Sequence, residues 1–113
     1  MKGTNLGEFE ELVLLIVIAK PGDAYSVAIA KEINHVAGRK VVHSVVHAAL
    51  SRLTKKGFVK SAMGAATDER GGRRKRMYTI TAAGIRVLQI VKSQRDQLWD
   101  MITPAQIANA YER

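Results

Sequence analysis

Cysteine is absent from all 113 residues, which excludes a disulfide framework, a thiolate nucleophile and a Cys-ligated zinc site. Long apolar runs are also missing. The longest, residues 12–19, falls well short of the about 20 residues that a bilayer span needs. It follows Glu8, Glu10 and Glu11, the wrong charge sign for the start of a signal peptide, so a cytoplasmic protein without membrane attachment is expected. No Ser/His/Asp trio or pair of carboxylates stands out by spacing, and no repeat or low-complexity tract is visible. Neither an enzymatic activity nor a cofactor is therefore expected. Only two prolines interrupt the chain, and its length suits one domain with a real core.

Acidic residues are scarce in one region above all. The chain carries eighteen Lys/Arg against ten Asp/Glu, a net charge of +8. Residues 1–37 contribute three basic and five acidic side chains, residues 38–76 eleven and two, and residues 77–113 four and three. Nearly all the excess thus lies in the central stretch, the footprint of an anionic partner rather than a generally basic surface. It peaks at Gly71-Gly72-Arg73-Arg74-Lys75-Arg76, just before the alternating Met77-Tyr78-Thr79-Ile80-Thr81. Adjacent cations repel one another at a cost that a polyanion removes.

Apolar spacing at 9, 12, 13, 15, 16 and 19 predicts a first helix from Glu8 to about Lys20, stopped by Pro21-Gly22-Asp23. A second helix is expected over 26–36, with Val27, Ile29, Ala30 and Ile33 inward and Gly38 beyond its end. A third is expected over about 43–56, ending at Gly57. Residues 58–61 and 77–81 read as two strands joined by a long basic tip. Thr81 can cap a fourth helix over about 82–102, and Thr103-Pro104 starts a short fifth. The expected fold is mainly α with a small antiparallel β-hairpin: a winged helix-turn-helix with a C-terminal dimerisation helix. Its parts would be a lead-in over 1–7, a DNA-binding unit over 8–81 and a dimerisation region over 82–113.

On the third helix, Val46, Ala49, Leu50 and Leu53 form an inward stripe at i, i+3, i+4 and i+7. The opposite face carries Ser44, Ala48, Ser51 and Lys55, flanked by Val45 and Arg52 on one side and His47 on the other. Small side chains let a helix sit deep in a major groove, where Ser bonds base edges and Val45 packs on a thymine methyl. Arg52, Lys55 and Lys56 are expected to reach phosphates, with Arg70, Gly71, Gly72, Arg73, Arg74, Lys75 and Arg76 clamping the backbone. His43 and His47 have the i, i+4 spacing of a zinc helix. Ser44 stands where that chemistry needs its Glu, and no third ligand is near in sequence, so no metal site is expected.

Several segments resemble the PadR family of bacterial transcriptional regulators, over residues 6–102. They are Leu6-Gly7-Glu8-Phe9-Glu10-Glu11-Leu12, Tyr25-Ser26-Val27-Ala28-Ile29-Ala30-Lys31, and residues 46–53 with Lys56-Gly57-Phe58-Val59. The most specific is the basic hairpin followed by Tyr78 and Thr81-Ala82-Ala83-Gly84. The resemblance implies a repressor of double-stranded DNA, dimeric through its C-terminal helix. Departures are Val42 in place of a capping Ser or Thr, with Ser44 the substitute cap of a shorter helix, and His47 in place of a groove-side Tyr. The family's operator preference does not carry over.

The fourth helix is too apolar to stand exposed, and Leu88, Val91, Leu98, Trp99 and Ile102 are expected at the seam of a homodimer. Trp99 has two readings: an anchor of that seam, or one wall of a pocket for a small aromatic effector, a regulation known in the family. Two rival functions share the charge pattern. One is an RNA-associated winged-helix module, disfavoured by the lack of exposed aromatics for base stacking. The other is an adaptor that binds an acidic protein through the basic hairpin.

Overall fold

The computed structural model describes residues 6–64 and 74–112. Its elements follow in the expected order: α1 (Glu8–Ala19), α2 (Ser26–Ala37), α3 (His43–Lys55), β1 (Val59–Met63), β2 (Arg76–Ile80), α4 (Ala82–Asp100) and α5 (Pro104–Tyr111). The strands pair antiparallel, with Val59 opposite Ile80 and Met63 opposite Arg76.

Helices α1, α2 and α3 close around one core with the hairpin and the first half of α4. Val13, Leu14, Ile29, Ile33, Val46, Leu50 and Leu53 are fully buried, and Phe58, Val59, Tyr78, Val87 and Leu88 complete the cluster. The stripe expected on α3 is the one buried. On α2, Ile29, Ala30 and Ile33 turn inward as expected, whereas Val27 is exposed. On α1 the packed face is rotated from the expected one. Glu10, Val13, Leu14 and Val17 are buried, while Leu15 and Ile18 are exposed. Residues 12–19 are apolar all round, so periodicity alone could not choose the face that meets α2 and α3.

The turn from α3 into β1 is a Schellman motif. Phe58 N donates to Leu53 O at 3.0 Å and Gly57 N to Thr54 O at 3.0 Å, with Gly57 at φ 81°, a conformation that costs glycine little. Across the hairpin, Thr81 closes the junction: its hydroxyl donates to Gly57 O at 2.6 Å and accepts from Gly84 N at 3.1 Å, capping α4. Gly84 is required by contact rather than by φ. A Cβ there would collide with the Phe58 carbonyl oxygen and lie 2.6 Å from Ile80 Cδ1. Tyr78 N donates to Ala24 O at 2.9 Å, so the α1–α2 connection is tied to the edge of β2.

Candidate nucleic-acid interface

The start of α3 is set by a side chain outside it. Asn34, on α2, accepts from Val41 N at 2.7 Å through Oδ1 and donates to Val41 O at 2.9 Å through Nδ2. This two-bond clasp imitates strand pairing and fixes the connection between the two helices of the helix-turn-helix. α3 then begins at His43 behind Val42, which provides no side-chain cap. The expected cap at Ser44 does not form; Ser44 lies inside the first turn and the helix keeps its full length. Its hydroxyl is thereby left on the exposed face.

That face is as the spacing predicts. Ser44, Val45, His47, Ala48, Ser51, Arg52 and Lys55 are all exposed, and Lys56 is half-buried at the helix end. His43 and His47 acquire no metal-binding company: no group of three or more His, Cys, Asp or Glu comes together among the described residues.

Of the basic hairpin, Arg74, Lys75 and Arg76 are described and exposed; Arg70, Gly71, Gly72 and Arg73 lie outside the described residues. Each of the three cations is braced by one contact. Arg74 Nε donates to Gly64 O at 2.9 Å, and Arg76 Nη1 donates to Ser61 Oγ at 3.1 Å. Lys75 Nζ stands 4.2 Å from the centre of the Tyr25 ring. A guanidinium has five N–H donors, so a brace through one leaves an edge able to meet an oxyanion. Tyr78 is buried beneath them. Burial raises its hydroxyl pKa, partly offset by the charge of Arg76.

Two of the expected phosphate contacts are already engaged. Glu10, 5% exposed, accepts from Lys56 Nζ at 2.8 Å and Arg52 Nε at 3.1 Å, and from Gly7 N at 2.9 Å. Burial pushes this carboxyl up, but the bonds from Lys56, Gly7 and Arg52 outweigh it, and its pKa lies below the ordinary 4.5. From the sequence, no contact with the α3 cations was expected of Glu10. Its two cationic partners stand 42 and 46 residues away, beyond the reach of local pattern.

The model of the transcriptional regulator PadR-like family matches residues 14–90, more than half the chain. The chain belongs to the PadR-like family. No curated protein matches it. Among solved structures, a PadR family transcription regulator from Clostridium difficile R20291 is similar at 24% identity and TM-score 0.69, over 84% of this chain and 94% of that one. A PadR-like transcriptional regulator from Bacillus cereus is similar at 20% identity and TM-score 0.66, over 93% and 92%. Bacillus subtilis PadR, solved in complex with operator DNA, is similar at 23% identity and TM-score 0.57, over 72% of this chain and 45% of that one. These likenesses establish that the helices and hairpin of this PadR-like regulator form the fold those proteins share.

The second half of α4 leaves the body of the PadR-like fold. Leu98, Trp99 and Ile102 are 62%, 66% and 44% exposed, whereas Leu88 and Val91, expected at the same seam, are each 8% exposed and covered by their own chain. The difference follows from the face of α4 that Gly84 brings against the hairpin: Val87, Leu88 and Val91 share it. Between α1 and α4 runs an open groove of about 480 Å³, walled by Leu15, Ile18, Ile85, Leu88 and Trp99. Arg95 Nη2 bonds Glu11 Oε1 across it at 2.6 Å. No described helix is long and apolar enough to cross a membrane.

Proposed function

We propose that this PadR-like regulator binds double-stranded DNA as a homodimer and represses transcription by blocking promoter access. The observation that carries the reading is the exposed α3 face of small residues in one chain with the braced cations Arg74, Lys75 and Arg76. Ser44, Val45, His47, Ala48 and Ser51 read or abut base edges; Lys55 and the hairpin cations hold phosphates. The complex of Bacillus subtilis PadR with operator DNA supports this use of the fold. The RNA alternative is disfavoured by position: the aromatics that are exposed, Trp99 and Tyr111, sit on α4 and α5, not on α3 or the hairpin.

Dimerisation is assigned to the apolar surface of Leu98, Trp99 and Ile102, which one chain leaves exposed. A small aromatic effector between the two Trp99 rings is the alternative use of that seam.

The test is fluorescence anisotropy of a labelled duplex across a salt series. Replacing Arg74 and Arg76 by Ala flattens the slope of log K against log salt by about 0.9 for each phosphate no longer neutralised. An unchanged slope in a folded double variant contradicts the clamp. Duplex RNA at matched salt serves as competitor and displaces the DNA poorly.

A further inference from the structure

Glu10 is the sole buried charged side chain among the described residues, and the DNA reading above gives it no role. A first-turn carboxylate needs no burial to favour a helix dipole; Glu8 and Glu11, in the same turn, keep more exposure. Glu10 instead faces the last turn of α3. Both of its oxygens meet Lys56 Nζ, at 2.8 and 3.1 Å, and Oε2 also takes the Nε–H of Arg52. An ammonium and a guanidinium converging on a buried oxyanion is the donor arrangement that a DNA phosphate would otherwise receive. Lys55, the neighbour of Lys56, is exposed and forms no ion pair among the described residues.

We propose that Glu10 is an internal substitute for DNA phosphate that withholds Lys56, met by both of its oxygens, from the sequence-independent grip, and is in this sense a specificity-determining residue. Arg52, held through Nε alone, keeps an edge open. Resting on the DNA reading, it separates Lys55, which adds to the backbone clamp, from its neighbour Lys56, which does not. Each cation that grips phosphate strengthens binding to every sequence alike, so keeping one of them occupied leaves more of the discrimination to the small residues of α3.

The experiment is the salt dependence of binding to a random-sequence duplex for single and paired substitutions. In the wild-type background Lys55→Ala flattens the slope and Lys56→Ala leaves it unchanged. Glu10→Ala steepens it by about 0.9 and tightens random-duplex binding about fivefold at 0.15 M salt, the effect of one charge unmasked. Lys56→Ala made on top of Glu10→Ala then reverses about one such step. Glu10→Gln has nearly the same shape, removes the charge and keeps one acceptor oxygen where Gly7 and Arg52 use two. It takes away the carboxylate charge that faces Lys56, so it carries the same test should Glu10→Ala fail to fold. The proposal is overturned if Lys56→Ala flattens the wild-type slope as much as Lys55→Ala, or if a folded Glu10 variant shows no steeper slope. A wild-type chain that binds no duplex at low salt overturns the DNA reading itself, a different result from either.

Discussion

Gly84 shows how much a single position can decide. With Phe58 O and Ile80 Cδ1 crowding the place of its absent side chain, Gly84→Ala must push α4 off the hairpin. The expected loss is about 1–3 kcal/mol, the range of an overpacked core, read from the denaturant midpoint at unchanged m-value. An unaltered midpoint would show that α4 moves freely there. Glu10 gives a pH signature of definite sign. Its folded pKa lies below the ordinary 4.5, so its contribution to stability is present above that value and is lost as pH falls through the folded pKa. Thermal unfolding should therefore show a steeper loss below pH 4.5 in the wild type than in Glu10→Gln; parallel curves would contradict the role given to its three donors. Gly84 was legible as part of Thr81-Ala82-Ala83-Gly84, though not the close approach that demands it. Glu10 and Asn34 were not legible, because what each does depends on a partner that only the folded chain brings near.

Among the elements, α3 was the most legible. Its polar and apolar residues alternate cleanly with the turn of the helix, so one sequence stretch states both the buried stripe and the open face. α1 was the least, since a helix apolar on every side carries no information about which side packs. On α4 the close approach at Gly84 turns Val87, Leu88 and Val91 toward the body, so Leu88 and Val91, expected at the seam, are covered instead. The hairpin strands sat one or two residues from their expected bounds, with pairing as anticipated. The α3 assignment carries its own prediction. Val45, 48% exposed, has little to do with stability, so Val45→Ala should leave unfolding and random-duplex affinity unchanged. Its effect belongs to sequence choice, a change of about 1–3 kcal/mol at one base pair in competition between single-base variants of a selected site. Equal effects on all sequences would remove Val45 from the reading face.

For the molecule as a whole, the described residues extend 58 × 33 × 20 Å, long for so short a chain. α4 beyond Val91, together with α5, buries no side chain, yet it presents Leu98, Trp99, Met101, Ile102 and Ile107. Such a surface suits a second copy, and Leu98→Asp should convert a dimer in sedimentation equilibrium to a monomer whose helix content is retained. A wild-type monomer at micromolar concentration would contradict the assignment. Two-fold symmetry would then set the two α3 helices against half-sites about one DNA turn, ~34 Å, apart. The most direct measurement is selection of bound fragments from random duplex DNA by the full chain. The account predicts an enriched inverted repeat with half-sites about one turn apart, bound more tightly than random duplex. Recovery of no common sequence, or of a single unrepeated site bound by one chain, would contradict it.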